Sequence, residues 1–184
     1  MFKLNQTFIM ENQTTTPKQV MLNNGLMLGL VSILIAVVNF AFGDVYKPHW
    51  SISLISFAAT IVFIVLGLKK IKENNGGFLS LGESLKTGLG IALISGIIYV
   101  IYFYLFTNFI EPEYFSNLAK VQEVTLLETY PNFTDEQMES AMQMSQKFSG
   151  FGMISAIVVI MSLFFGFIIS LIAGLIMKKT NEED

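Results

Sequence analysis

The chain has no cysteine, no arginine and a single histidine among its 184 residues. Without thiols it forms neither disulfides nor thiolate metal sites. His49, alone in a short loop beside Pro48, cannot build a metal centre by itself. Charge is scarce too: 14% of the residues are charged, where a soluble domain carries about 25%. The net charge is −3 and the eleven basic residues, all lysine, make no basic stripe. That excludes the electrostatic footprint of a nucleic-acid partner. No nucleophile elbow, phosphate-cradling loop or His-Glu-x-x-His pattern is present, so no catalytic residue, metal or cofactor is assigned.

What the chain does have is apolar length. Hydrophobic residues make up 53% of it and the mean hydropathy is +0.60. Four stretches, 21–42, 50–68, 87–110 and 150–177, have no charge in their interiors. A helix needs about 20 apolar residues to cross the hydrocarbon core of a bilayer. The expected fold is therefore all-α: a polytopic membrane protein with four transmembrane helices in an up-down antiparallel bundle. Residues 1–19 read as a disordered polar leader, with Met1 or Met10 as its start, and residues 20–184 as the membrane domain. The first apolar run exceeds the 7–15 residues of a secretory signal. It is read as a retained helix despite the weak cleavage-like Ala41-Phe42-Gly43.

The lysines set the expected orientation. Lys3, Lys18, Lys69, Lys70, Lys72, Lys86, Lys178 and Lys179 fall on one side, and Lys47, Lys120 and Lys147 on the other. The positive-inside rule then puts both termini and residues 69–86 in the cytoplasm. Trp50, Tyr99, Tyr102 and Tyr104 lie near the outer ends of their spans, at headgroup level. Within 69–86, Phe78, Leu81 and Leu85 fall at helical spacing. This piece is expected either to lie along the membrane surface or to be a solvated connector.

Residues 111–149 are the one sizeable soluble part, an acidic helical insert expected on the periplasmic side. Pro112 opens a first helix, and Tyr130-Pro131-Asn132-Phe133 breaks the chain. Thr134 and Gln137 then form a capping box for a second helix. Met138, Ala141, Met142, Ser145 and Phe148 make one stripe on that helix. Met138, Met142 and Phe148 are candidates for docking a partner, methionine being adaptable to irregular surfaces. Folding back onto the bundle would use the same stripe.

No ionisable residue sits inside a span, which argues against proton-coupled transport, ion pumping and voltage sensing. The mid-span polar groups are small: Asn39, Ser56, Thr60, Ser95, Ser162 and Ser170. Small residues also recur at four-residue steps: Gly25 and Gly29, then Gly88, Ala92 and Gly96, then Ser162, Gly166, Ser170 and Gly174. Such faces let helix backbones approach closely, within one chain or between chains. Glu111 and Glu113 flank Pro112 at the outer rim and are the nearest thing to a carboxylate pair.

Several features in order carry a resemblance. They are the Gly-rich first span, Phe78-x-Ser80-x-Gly82-x-x-x-Lys86-x-Gly88, and Pro112-Glu113-Tyr114. Asp135-Glu136-Gln137 before a Met-rich helix follows, and then a last span ending Ser170-Leu171-Ile172 and Lys178-Lys179. From residue 18 onward the chain resembles domain of unknown function 4199, small four-span membrane proteins of Bacteroidota. The resemblance implies a Gram-negative inner membrane and no established activity. It also implies gene neighbours encoding a polyprenyl-phosphate-type glycosyltransferase, a pointer to envelope glycoconjugate assembly.

The leading expectation is a non-enzymatic accessory or scaffold subunit in the lipid bilayer. It would assemble with itself as a homo-oligomer or with another membrane protein, such as a membrane glycosyltransferase. One alternative is a small transporter or oligomeric channel for a neutral or lipidic solute, with a path lined by Asn39, Ser56, Thr60 and Ser95. Another is a membrane enzyme acting on lipid headgroups through Glu111 and Glu113.

Overall fold

Four of the six described α-helices start at a side-chain cap. The computed structural model describes residues 15–179, and these are helical almost throughout. Thr16 and Gln19 form a capping box that starts α1, Pro17–Phe42, with Pro17 in the first turn where its missing N–H costs nothing. His49 caps α2, Trp50–Asn74, by accepting from the Ser51 amide at 3.4 Å. Ser80 and Glu83 box the start of α3, Leu81–Leu105, which runs on as a π-helical turn over Phe106–Ile110. α4 is Tyr114–Thr129, and α5, Asp135–Phe148, begins at the Thr134–Gln137 capping box. α6 is Phe151–Met177. Four of these helices, α1, α2, α3 with its π turn, and α6, are long and apolar enough to cross a membrane.

Two expectations are revised. Residues 17–19, assigned to a disordered leader, belong to α1; the rest of that leader, residues 1–14, lies outside the described residues, as do both alternative starts. Residues 81–86 are neither a surface piece nor a solvated connector: they are the opening turns of α3. The reason is local. The Ser80 box starts the helix early, and Ser84 and Thr87 are then buried. Leu79, fully buried, pairs with Lys179 in an isolated antiparallel bridge, donating at 3.0 Å and accepting at 3.1 Å.

α3 is the central helix, packed against α1 on one side and α6 on the other. The small residues make both contacts. A Cβ added at Gly25 would meet Ile94 Cβ at 2.7 Å, and one at Gly29 would meet Ile98 at 2.8 Å. Across the other interface Gly88 lies against Ser170 and the Gly166 carbonyl, and Gly96 against Ser162. A Cβ at Gly166 would come within 2.5 Å of Ala92 Cβ, and one at Gly174 within 2.7 Å of Ser84 Cβ. Ser162 Oγ donates across the interface to the Ala92 carbonyl at 2.6 Å. Lipid tails are as apolar as leucine, so helices in a bilayer associate through such close van der Waals packing and hydrogen bonds.

The packed core lies toward one end, the tail end, where α2 runs into α3 and α6 finishes. Ile64, Leu68, Ile71, Leu79, Ile91, Ile169 and Ala173 form a cluster there. The buried residues of α2 are Ile64, Gly67, Leu68 and Ile71, all in its second half. Its first half stands away from the core, and this opens the bundle toward α4 and α5. At the tail end Lys72 Nζ donates to the Met177 carbonyl at 2.8 Å, and the Lys179 ammonium sits 5.4 Å from the centre of the Phe78 ring.

Gly166→Leu should therefore destabilise the single chain, by about 1–3 kcal/mol as overpacked cores do. Gly152→Leu, at a glycine with open space around it, should leave stability unchanged. Denaturant titration of both variants in mixed micelles checks the contrast.

Candidate functional site

Because the first half of α2 stands off, a cleft runs between the helices from mid-bundle to the α4–α5 end. It has two neighbouring chambers that share Ser32, Ser56 and Tyr99 as wall residues. The deeper chamber, about 720 Å³, is lined by Leu28 and Ser32 of α1, Ser53 to Thr60 of α2, Ala92 to Tyr99 of α3 and Val158 to Phe165 of α6. The outer chamber, about 330 Å³, reaches Asn39, Tyr102, Phe103, Phe106 and Tyr114. Ala92, Ser95 and Gly96 are buried, whereas Ser53, Phe57, Met161 and Phe165 are exposed. The floor is thus α3, and the deep chamber's mouth lies between α2 and α6. Phe57 and Phe165 meet edge-on across that mouth, 5.6 Å between ring centres.

Hydroxyl groups give the cleft its chemistry. Ser32 donates to the Leu28 carbonyl, Thr60 to that of Ser56, and Ser95 and Ser162 both to that of Ala92, at 2.6–3.0 Å. A helical hydroxyl that gives its proton to the backbone keeps its oxygen lone pairs free as acceptors. The Tyr99 and Tyr102 hydroxyls have no acceptor among the described residues, nor does the Asn39 amide oxygen have a donor; the Asn39 amide nitrogen donates to the Asp44 carbonyl at 3.3 Å. Among the described residues no charged side chain lines either chamber.

Beside the outer chamber a latch ties the α1–α2 loop to α4. Tyr46, in the α1–α2 loop, donates its hydroxyl to Glu111 Oε1 at 3.1 Å. Asn117 of α4 donates to the Tyr46 oxygen and to Glu111 Oε1, both at 3.3 Å. Burial raises the Tyr46 phenol above its ordinary pKa; Asn117 opposes this, and the Glu111 carboxylate adds to it. The phenol therefore stays a donor at neutral pH. Tyr46 also stacks on Tyr114 at 5.5 Å, and Tyr114 packs edge-on against Phe103 and Phe106. Burial raises the Tyr114 phenol as well. The π turn contributes here. Its extra residue closes with Glu111 N donating to the Phe106 carbonyl at 2.8 Å, and it leaves Phe106 and Thr107 buried while Phe109 points out. Such turns recur at functional sites.

The residues singled out from sequence are distributed as follows. Asn39, Ser56, Thr60, Ser95 and Ser162 all line the cleft; Ser170 does not, lying against Gly88 and donating to Gly166 of its own helix. The small residues of α1, α3 and α6 meet one another's helices inside the chain. Met138 and Met142 are half-buried on the face of α5 that carries Ser145, whose hydroxyl donates to Gln122 of α4 at 2.7 Å; Phe148 is exposed. Glu111 is engaged in the latch, and Glu113 is exposed beside it. Among the described residues no group of three His, Asp or Glu is placed to hold a metal. Sequence reasoning missed Ser32 and Tyr99 as cleft residues. Ser32 sits seven residues before Asn39 on one face of α1, a spacing that was there to be read.

The sequence profile of a family described as "Protein of unknown function (DUF4199)" matches residues 23–179. The chain belongs to this family. No curated protein and no solved structure matches it. The DUF4199 match takes in the greater part of each of the four apolar helices, every residue of the cleft and the whole latch.

Asn117→Ala should free α4 from the rim at a cost of about 0.5–1.5 kcal/mol per lost hydrogen bond. Hydrogen–deuterium exchange should then rise in Tyr114–Thr129 and stay unchanged in α6.

Proposed function

We propose that this DUF4199 protein binds a neutral, lipid-soluble solute in its intramembrane cleft and carries or presents it within the bilayer, without chemistry of its own. The observation that carries this reading is the convergence of Ser32, Asn39, Ser56, Thr60, Ser95 and Ser162 on one cleft, with no charged side chain among its lining residues. Polar groups inside a membrane are costly and seldom face lipid without cause. A pocket of several hundred Å³, mostly apolar with a few placed polar groups, has the form of a small-ligand site.

Assembly with a partner membrane protein, or with a second copy, is the second reading. It draws its support from Val124, Leu127, Met144 and Phe148, apolar side chains exposed on α4 and α5. The small-residue faces no longer support it, being filled within the chain. A headgroup enzyme gains no support from Glu111, whose carboxylate is held by Tyr46 and Asn117.

The topology that goes with the leading reading is an up-down antiparallel bundle in a bacterial inner membrane, with both termini cytoplasmic and residues 111–149 periplasmic. Support comes from the lysine distribution and from the opposed numbering of the α3–α6 pairs, Ser84 with Gly174 and Gly96 with Ser162.

The test is lipid extraction and mass spectrometry of the protein purified in mild detergent. One uncharged species should be enriched over the bulk membrane. Ser56→Leu and Thr60→Leu, which fill the deep chamber from the loosely packed half of α2, should reduce its recovery about tenfold, as a 1–3 kcal/mol clash implies. Recovery of bulk phospholipid alone, the same from wild type and variants, overturns the reading.

A further inference from the structure

We infer that the groove between the first turns of α1 and α3 holds the phosphate of an anionic phospholipid, with Lys18 and Lys86 on the headgroup and the acyl chains lying along the α1–α3 seam. This site is separate from the cleft and does not rest on the function proposed for it.

The two lysines meet at one level. α1 and α3 both start at the tail end, and Gly25 packs on Ile94 as Gly29 packs on Ile98. The same offset sets Lys18 level with Thr87, the residue after Lys86. All three line one cavity of about 530 Å³, whose walls also include Met21 of α1 and Ile71 of α2. Lys18 and Met21 are walls of a neighbouring hollow of about 330 Å³ as well, which Leu22 and Ile94 help to complete. Gly90 leaves room for Met21 there: a Cβ on it would meet Met21 Cγ at 3.0 Å. Polarity thus falls along the seam, from the lysines to Met21, Leu22 and Ile94. Ile94 lies eight residues beyond Lys86, about 12 Å along α3 at 1.5 Å per residue. A phospholipid has the same order, charge first and hydrocarbon after. A soluble phosphate has no use for the apolar part.

The charges at the tail end favour an anion. Among the described residues, Lys70 pairs with Glu73 at 3.6 Å, Lys72 donates to the Met177 carbonyl and Lys179 sits over the Phe78 ring. Lys18, Lys69, Lys86 and Lys178 make no ion pair with a described residue. Glu83 is the remaining charged side chain of this end, and it shares the cavity wall. Its carboxylate accepts from the Ser80 amide, the Ser80 hydroxyl and the Asn75 amide group, each at 2.8 Å, so it is taken up in capping α3. Two ammonium groups against one carboxylate leave the cavity one positive charge in surplus. A phosphodiester carries one negative charge and balances it. A zwitterionic headgroup brings its own ammonium, which contends with the lysines. Basic pockets between membrane helices are the form that receives anionic headgroups.

Thr87 adds an independent sign. It is 3% exposed, it lines the same cavity, and its hydroxyl has no partner among the described residues. An unpaired hydroxyl in apolar surroundings is costly, and a phosphate oxygen in the cavity would accept from it.

Native mass spectrometry tests this on the full chain, delipidated in mild detergent and titrated with phosphatidylglycerol or with phosphatidylcholine of the same acyl chains. Phosphatidylglycerol should bind about fivefold more tightly, the worth of one surplus positive charge at a membrane surface. Lys18→Gln and Lys86→Gln, both at exposed side chains, each remove that surplus and should abolish the preference. Lys69→Gln, at an exposed lysine of the same end outside the cavity, should leave it intact. Equal binding of the two lipids by the unaltered chain, or the same loss in Lys69→Gln as in the cavity variants, overturns the site. Glycerol 1-phosphate should not displace the lipid. Displacement by it at equal concentration identifies a soluble phosphate as the ligand and overturns the lipid assignment.

Discussion

The close approach of α3 to its two neighbours is the contact on which the rest of this protein depends. In lipid, burying an apolar side chain against another gains little over leaving it among acyl chains, so shape has to do what hydrophobicity does in water. Gly25 and Gly29 let α1 onto α3, and Ser84, Gly88, Ala92 and Gly96 fit against Ser162, Gly166, Ser170 and Gly174 of α6. This three-helix unit leaves α2 as the least committed span, fastened through Ile64, Leu68 and Ile71 and free of buried residues before them. The cleft is the space that results. Its floor is the α3 interface seen from the side, and its α2 wall is the half of that helix that holds no buried residue.

The same helices that make the scaffold carry the polar groups of the cleft. Ser162 shows both roles at once, donating to the Ala92 carbonyl across the helix interface while lining the deep chamber. Ser95, one turn along α3 from Ala92, donates to that same carbonyl from within its own helix. Both hydroxyls thereby place their protons on a protein acceptor, which spares them the cost of an unpaired polar group in an apolar medium.

Much of the fold was legible in the sequence because its rules there are one-dimensional. Charge-free length marks the spans, and the box at Thr134 follows from side-chain chemistry over three residues, whereas the same pattern at Ser80 and Glu83 went unread. The first turns of α3 were misplaced because hydropathy weighs Glu83 and Lys86 as polar, whereas the helix is fixed by the Ser80 cap and by Ser84 meeting Gly174 from a distant part of the chain. The cleft was half legible. Asn39, Ser56, Thr60 and Ser95 stood out as polar residues in apolar runs, but that they share one cavity depends on how far α2 stands from α6. No periodicity encodes that distance. The small-residue faces were legible as packing faces; only the packed chain reveals which neighbour fills each one.

The tail-end ties have a mechanical consequence. Lys72 of α2 is bonded to the last carbonyl of α6, and the Leu79–Lys179 bridge joins the segments that follow the two helices. α2 and α6 are thus pinned together at one end and touch near the other mainly through Phe57 and Phe165. That is the geometry of a pair of tweezers: some fifteen residues of helix, roughly 20 Å at 1.5 Å per residue, separate the pin from the tips, so any angular change at the pinned end would be largest between Phe57 and Phe165.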